Sequence, residues 1–205
     1  MKSIIVDNTQ VTPSKVICIG RNYVDHIAEL GNEVPDEMVV FIKPNSSITE
    51  QLLSYHDEPL HYEGELCFVH QQGRFSAVGF GLDLTKRTLQ SKLKAKGLPW
   101  ERAKGFDGAA VFSEFIAIEN IDSSLTLSLS INDDIVQKGG VDLMIYKPDV
   151  ILKELRKFLT LEDGDIVMTG TPKGVGVICE HALFTGSIVQ TGQEIVSATW
   201  CAQAK

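Results

Sequence analysis

Short apolar runs, each closed by glycine, proline or turn residues, recur along the chain and constrain its fold more than any other feature. A run of this length predicts a buried strand, and strict alternation of apolar and polar residues predicts a half-buried one. Strands are predicted at residues 15–20, 39–44, 66–69, 125–131, 165–170 and 193–200. The residues Asn132, Asp133 and Asp134 after the alternating run at 125–131 predict a tight turn.

Helical periodicity is weaker and predicts three helices, at residues 22–30, 83–96 and 149–159. Asp83 stands at the predicted start of the second helix, and Asp149 is the predicted N-cap of the third. Regular alternation of strands and helices is absent, which argues against a doubly wound sheet. We therefore expect one domain over residues 1–205 of the α+β class, mainly β.

Composition excludes several classes of protein. The formal net charge of −8 argues against a nucleic-acid partner, although a local basic cluster could still bind an anion. No apolar run approaches the roughly 20 residues of a membrane span, and the N-terminus does not resemble a signal peptide, so a cytoplasmic location is expected. The four cysteines form no C-x-x-C pair, which predicts reduced, buried thiols rather than a zinc site.

Two glutamates directly before a predicted strand suggest a metal site. Glu63 and Glu65 are two residues apart, so on a strand they face the same side, and Asp83 follows a later apolar run. Oxygen ligands suit Mg²⁺ or Mn²⁺, and three protein ligands leave about three of six octahedral positions open for a bidentate ligand and water. The alternatives are a solvated acidic strand face and, for Asp83, a helix N-cap.

Two further groups could carry chemistry. His26 and Glu29 are three residues apart, so on a helical turn a carboxylate could orient an imidazole that acts as a base. Lys104 could stabilise negative charge near a metal, and solvation at the protein surface is the alternative for all three side chains. The glycine-rich residues 169–176 lack the spacing of a nucleotide-binding loop but could offer N–H groups and the Thr171 hydroxyl to a carboxylate.

Six segments together resemble the fumarylacetoacetate hydrolase family, in its short acylpyruvase or oxaloacetate decarboxylase-like branch. They occur in the family's order and cover roughly residues 15 to 180. The segments are Gly20-Arg21-Asn22-Tyr23 with Asp25-His26, Phe41-Ile42-Lys43-Pro44, His61-Tyr62-Glu63-Gly64-Glu65-Leu66, Gly81-Leu82-Asp83-Leu84-Thr85, Lys96-Gly97-Leu98-Pro99-Trp100 with Ala103-Lys104, and Gly164-Asp165-Ile166 with residues 169–176.

The resemblance implies a role for particular residues. The implied metal ligands are Glu63, Glu65 and Asp83, and the implied catalytic residues are His26, Glu29 and Lys104. The residues implied to bind substrate, or to line or support its pocket, are Arg21, Lys43, Arg87, Gln90 and Thr171. The implied fold is a mixed, mostly antiparallel β-roll or pseudo-barrel with flanking helices, commonly a homodimer, with residues 31–37 as a lid. The segment after Cys179 matches less clearly, and no role is carried over to it.

The activity implied by the resemblance is Mg²⁺- or Mn²⁺-dependent hydrolysis of a C–C bond in an acylpyruvate, a small 2-oxo acid. The same metal site could instead serve oxaloacetate decarboxylation or tautomerisation, or isomerisation of 2-hydroxyhepta-2,4-diene-1,7-dioate. A binding or structural protein on the same scaffold is the alternative that involves no catalysis, and it predicts that the three carboxylates are dispensable.

Overall fold

The computed structural model describes residues 1–29 and 36–204, and most of its regular structure is β-strand. The strands in chain order are β1 Ile4–Val6, β2 Thr9–Val11, β3 Lys15–Gly20, β4 Val39–Pro44, β5 Ile48–Thr49, β6 Tyr55–His56, β7 Glu58–Tyr62, β8 Gly64–Gln71, β9 Arg74–Asp83, β10 Thr85–Lys86, β11 Ala110–Phe112, β12 Ile116–Ala117, β13 Thr126–Ile131, β14 Asp134–Gly140, β15 Ile166–Met168, β16 Gly176–Val177, β17 Leu183–Gln190 and β18 Gln193–Cys201. The helices are α1 Val24–Glu29, α2 Arg87–Ala95, α3 Glu101–Lys104 and α4 Pro148–Leu155.

The largest sheet carries most of the candidate site residues. Its strand order is β4-β3-β15-β8-β9-β11-β5, with β12 paired to β9. Two of its pairs, β3 with β15 and β5 with β11, are parallel, and the other pairs are antiparallel. This mixed sheet with few helices confirms the mainly β, α+β class predicted from the short apolar runs.

A second sheet, β14-β13-β17-β18, packs against one face of the first, and the main core lies between them. The two sheets approach closely, since a Cβ added at Gly186 would lie 2.4 Å from the Phe80 ring. Along β8, Leu66 and Phe68 belong to this core, whereas Cys67 belongs to a smaller cluster. Because alternate side chains of a strand point to opposite faces, Glu65 projects away from the main core, on the side of Cys67.

The strand predictions are confirmed with small changes of length. β3 and β4 have the predicted bounds, and residues 66–69 lie inside the longer β8. Asn132 and Asp133 both have positive φ, 49° and 73°, which fits a two-residue type I′ turn between β13 and β14.

The prediction that a helix begins at Asp83 is wrong. Asp83 is the last residue of β9, where it pairs with Ala110 of β11, and α2 begins only at Arg87. The first turn of α2 is capped from a distant strand, because the Glu58 carboxylate accepts hydrogen bonds from the N–H groups of Thr88, at 2.8 Å, and Leu89, at 3.2 Å. A cap that comes from another element leaves no local signal in the sequence.

The other two predicted helices begin or end elsewhere. Asp149 is not the N-cap of α4, because Lys147 takes that position and Pro148 begins the helix, a favourable place for proline. α1 spans only part of residues 22–30. The predicted lid at residues 31–37 falls largely on residues 31–35, which lie outside the described residues.

The prediction of buried cysteines holds for half of them. Cys18 and Cys67 are buried, but Cys179 and Cys201 are exposed, because they lie near the edge formed by β18 and the segment before β17. Among residues 1–29 and 36–204, no helix is both long enough and apolar enough to cross a membrane.

A buried carboxylate joins β3 to β15 and leads to a stability prediction. Asp165 accepts hydrogen bonds from Ser14 N and Oγ, Lys15 N and Glu162 N at 2.6–3.1 Å, and Lys15 Nζ lies 2.5 Å from it. Asp165→Asn should lower the free energy of unfolding at pH 7 by about 3 kcal/mol, because buried donors lose an ionised acceptor. Chemical denaturation measures this, with exposed Asp133→Asn as the control.

The same variant should change how stability depends on pH. Burial raises the pKa of Asp165, but the hydrogen bonds from Lys15 and Ser14 outweigh it and hold the pKa below its ordinary value. A carboxyl with a depressed folded pKa stabilises the protein above its unfolded pKa and loses that contribution as the pH falls through the folded pKa. The acid-induced loss of stability should therefore be shallower in Asp165→Asn; equal slopes would contradict this role.

Candidate active site

The three predicted carboxylates meet where β8 begins and β9 ends. Glu63 lies between β7 and β8, Glu65 is on β8, and Asp83 ends β9. Asp83 N donates a hydrogen bond of 2.9 Å to Glu63 O, which fixes the two chain segments side by side. All three side chains are buried, and one carboxylate oxygen from each lies within 4.8 Å of the others. The structure therefore brings these residues together, away from solvent.

Gly64 makes room between the two glutamates. A Cβ at this position would lie 2.9 Å from Phe80 Cζ and 3.0 Å from Gln137 Oε1, both closer than ordinary contact. Any larger residue would push the segment that carries Glu63 and Glu65 away from the neighbouring sheet.

Three basic side chains surround the carboxylates. Lys104 Nζ donates to Glu63 Oε2 at 2.8 Å, to Asp83 Oδ2 at 2.7 Å and to Thr85 Oγ1 at 2.6 Å. Arg87 donates to the other oxygen of Glu63. Lys43 is fully buried, donates to the Lys104 carbonyl and has its Nζ 2.7 Å from Asp83 Oδ1. Buried charges of both signs are thus paired, as the low-dielectric interior requires.

The electrostatics differ among the carboxylates. Burial raises the pKa of Glu63, but the positive charges of Lys104, Arg87 and His26 outweigh it and hold that pKa below its ordinary value. Burial and the negative charges of Asp83 and Glu63 raise the pKa of Glu65 well above its ordinary value. A further positive charge beside Glu65 would therefore be stabilising, and a divalent cation supplies one.

The donor set also fits a divalent cation. Among the described residues, Asp83 Oδ1 is buried and accepts no hydrogen bond, because Lys43 Nζ lies close to it but outside a hydrogen-bonding direction. Glu65 uses only Oε2, which accepts a 2.7 Å bond from Gly170 N, among the hydrogen bonds of the described residues. Three buried carboxylates with free acceptor capacity, and no nitrogen or sulfur ligand, suit Mg²⁺ or Mn²⁺.

The predicted dyad forms, and its histidine lines the same cavity as the carboxylates. His26 Nδ1 is 3.1 Å from Glu29 Oε2, and Gly174 N donates a 3.0 Å hydrogen bond to Glu29 Oε1. His26 is buried and lines the cavity with the three carboxylates. Because Glu29 engages Nδ1, the other ring nitrogen, Nε2, is available for proton transfer.

The glycine-rich turn after β15 contacts both parts of the site. Gly170 N donates a hydrogen bond to the Glu65 carboxylate, and Gly174 N donates one to the Glu29 carboxylate. Thr171 Oγ1 donates a 3.0 Å hydrogen bond to Gly64 O. The turn has the backbone conformation that glycine allows, since Gly170 and Gly174 both have φ near +100°. One short segment therefore positions a candidate metal ligand and the dyad.

The cavity between these groups has a volume of about 40 Å³. Of the residues predicted to bind substrate, Arg21, Arg87, Gln90 and Thr171 line it, as does Lys104. Lys43 does not line it, and instead lies behind Asp83, where it supports the carboxylate.

Sequence reasoning missed several residues of the site. Lys94 and Trp100 line the cavity, with Lys94 Nζ 5.6 Å from the centre of the Trp100 ring. Lys94 lies four residues after Gln90 and seven after Arg87, so helical spacing in α2 could have identified it. Gln137, which bonds to the turn, lies on a different sheet and gave no local signal.

Comparison with known proteins identifies the family. The model of the fumarylacetoacetate (FAA) hydrolase C-terminal family matches residues 15–199. This chain belongs to the fumarylacetoacetate hydrolase family. The membership agrees with the six ordered segments, and the family's fold is the mainly β arrangement described above.

Several relatives within the fumarylacetoacetate hydrolase family have named activities. An oxaloacetate tautomerase from Escherichia coli is 39% identical over 181 residues, covering 80% of this chain and 83% of the relative. A mitochondrial oxaloacetate tautomerase from Homo sapiens is 37% identical, covering 81% and 83%. The crystal structure of fumarylpyruvate hydrolase from Pseudomonas aeruginosa in complex with Mn²⁺ and pyruvate superposes with a TM-score of 0.89 at 25% identity, over all of this chain and 96% of that one.

Proposed function

We propose that this protein is a divalent-metal-dependent enzyme that interconverts the keto and enol forms of oxaloacetate. The observation that carries the proposal is that three buried carboxylates line one cavity together with His26, which is paired with Glu29. The similarity to oxaloacetate tautomerases supports the choice of substrate. The basic side chains that line the cavity, Arg21, Arg87, Lys94 and Lys104, also favour an anionic 2-oxo acid.

Glu63, Glu65 and Asp83 would hold Mg²⁺ or Mn²⁺. When bound there, the cation would act as a Lewis acid that stabilises negative charge on the oxygen of the 2-oxo group. The relative that was crystallised with Mn²⁺ and pyruvate supports this assignment. Thr171 would donate a hydrogen bond from its hydroxyl to the substrate carboxylate, and Lys104 would stabilise charge on the 2-oxo oxygen.

His26 would move the proton. In the keto-to-enol direction, Nε2 takes a proton from carbon 3 of oxaloacetate, and the C–H electron pair becomes the double bond between carbons 2 and 3. The π electron pair of the carbonyl moves to the oxygen on carbon 2, and this oxygen takes up the proton from the His26 ring, directly or through water, to give the enol. Glu29, held by Gly174 N, would orient the ring and stabilise its protonated form.

The second candidate is hydrolysis of an acylpyruvate, the first expectation from the sequence. The dyad favours it, because a base oriented by a carboxylate could also deprotonate water for attack on the distal carbonyl. The structural similarity to fumarylpyruvate hydrolase points the same way. Measuring kcat/KM for oxaloacetate, acetylpyruvate and fumarylpyruvate with added Mg²⁺ distinguishes the candidates. A higher kcat/KM for oxaloacetate supports the proposal. A protein that turns over neither oxaloacetate nor the acylpyruvates would contradict it.

His26→Ala should lower the tautomerisation rate by about 100-fold or more, because general acid–base groups contribute factors of about 10²–10⁴. The rate is measured from the absorbance of the enol form of oxaloacetate. His181→Asn is the matched control, since His181 is exposed and its positive φ of 63° suits asparagine. Wild-type rates in His26→Ala would exclude His26 as the base.

We also infer that one domain over residues 1–205 acts as a homodimer, as the family resemblance implies. Light scattering of the purified protein should give the mass of two chains, and the mass of one chain would contradict this inference.

A further inference from the structure

Gln137 is a buried amide on β14, in the sheet that does not carry the carboxylates. Its two ends are fixed by backbone groups. Oε1 accepts a 2.9 Å hydrogen bond from Gly64 N, and Nε2 donates a 2.8 Å hydrogen bond to Pro172 O. A backbone N–H can only donate and a carbonyl can only accept, so the orientation of the amide is determined.

This orientation decides the role of the Thr171 hydroxyl. Gln137 Nε2 also lies 2.8 Å from Thr171 Oγ1, and because an NH₂ group only donates, the hydroxyl oxygen must accept this bond. The single hydroxyl proton then points elsewhere. In this structure it goes to Gly64 O at 3.0 Å, with Pro172 O at 3.3 Å as the other acceptor.

We propose that Gln137 is a positioning residue that keeps Thr171 a hydrogen-bond donor toward a carboxylate bound in the cavity. Rotation about one bond moves the hydroxyl proton from Gly64 O to the incoming carboxylate, while the bond from Gln137 is retained. A hydroxyl that already accepts a hydrogen bond is a stronger donor, because hydrogen bonds in a chain polarise one another. This inference rests on the proposed function, in which Thr171 binds the carboxylate of the 2-oxo acid.

Gln137 contacts both Thr171 and Gly64, and a role through each of these residues predicts a different effect on ligand and metal affinity. Its bond to Gly64 N supports the segment between Glu63 and Glu65, so its loss could instead disturb the metal ligands. Action through Thr171 predicts weaker binding of a carboxylate ligand with unchanged metal affinity. Action through Gly64 predicts weaker metal binding.

A double-mutant cycle separates these routes. Mn²⁺ affinity and the affinity of the Mn²⁺-loaded protein for oxalate, a small dicarboxylate probe, are measured by calorimetry for Gln137→Met, Thr171→Val and the double variant. We expect about a tenfold loss of oxalate affinity in each single variant. Thr171→Val removes the hydrogen bond to the charged carboxylate, and Gln137→Met removes the hydrogen bond that positions Thr171. The double variant should be no weaker than Thr171→Val, Mn²⁺ affinity should be unchanged, and Thr171→Ser should recover most of the affinity.

Several outcomes would overturn the inference. Additive losses in the double variant, a parallel loss of Mn²⁺ affinity in Gln137→Met, or full oxalate affinity in Gln137→Met would each contradict it. Full affinity in Thr171→Val would remove its premise and also the proposed role of Thr171. Failure of the wild type to bind Mn²⁺ would instead count against the proposed function. If Gln137→Met does not fold, Gln137→Glu, which retains an acceptor for Gly64 N, takes its place in the cycle.

Discussion

Glu65→Gln is expected to lower metal-dependent turnover by more than about 100-fold while leaving the metal-free protein at least as stable as the wild type. Mutation of a residue that supports a metal ligand typically lowers metal affinity or activity by about 10–100-fold. Loss of a carboxylate that binds the metal directly should cause a larger decrease. Stability should not fall, because an amide oxygen can still accept the bond from Gly170 N. The neutral side chain also removes repulsion among Glu65, Glu63 and Asp83.

The two effects are measured separately. Thermal unfolding without metal should give Glu65→Gln a Tm equal to or above that of the wild type, and added Mn²⁺ should raise the Tm of the wild type but not that of Glu65→Gln. Glu119→Gln, at an exposed position, is the control and should behave like the wild type in both assays. Wild-type Mn²⁺ affinity in Glu65→Gln would show that the carboxylate cluster is not the metal site.

Lys104→Met is expected to lower the free energy of unfolding of the metal-free protein by about 3–5 kcal/mol. Its ammonium group donates to Glu63, Asp83 and Thr85 in a buried site, so its removal leaves three buried carboxylates with only the charges of Arg87 and Lys43 to compensate them. Saturating Mn²⁺ should restore part of this loss, because the cation would replace the missing positive charge. Turnover should still fall, by about 100-fold, if Lys104 stabilises charge on the 2-oxo oxygen.

A matched lysine provides the control for this variant. Lys157 forms an ion pair with Glu154 at 2.6 Å on the surface, so Lys157→Met should cost at most about 1 kcal/mol. Denaturant titration with and without Mn²⁺ measures both variants. Equal stability of Lys104→Met and Lys157→Met, or no gain from Mn²⁺, would contradict the described role of Lys104.

The sequence predicted features that depend on neighbouring residues. β3 and β4 have the predicted bounds because each is an apolar run with a clear stop at Gly20 or Pro44. The pair Glu63 and Glu65 was recognisable because strand geometry places residues two apart on one side. His26 and Glu29 were recognisable in the same way from the spacing of a helical turn.

Features that depend on distant contacts were not predictable. Asp83 ends a strand rather than beginning a helix, because β9 continues alongside β11 and Glu58 caps the helix at Arg87 instead. Gln137 reaches Gly64 and Thr171 across two sheets, and no local pattern marks a glutamine that does so. Asp83 was considered as a third carboxylate ligand from its residue type alone, and the resemblance to the family made its meeting with the glutamates the main expectation.

The most direct test of the central claim is a metal titration of oxaloacetate tautomerisation. Protein stripped with a chelator is assayed by the enol absorbance, and Mg²⁺ or Mn²⁺ is then added in steps. We predict that, with the stripped protein, oxaloacetate interconverts only at its uncatalysed rate. Addition of either ion should restore catalysis, and the rate should reach a plateau at one ion per chain. Full catalysis by the stripped protein, or no catalysis with either ion, would contradict the account.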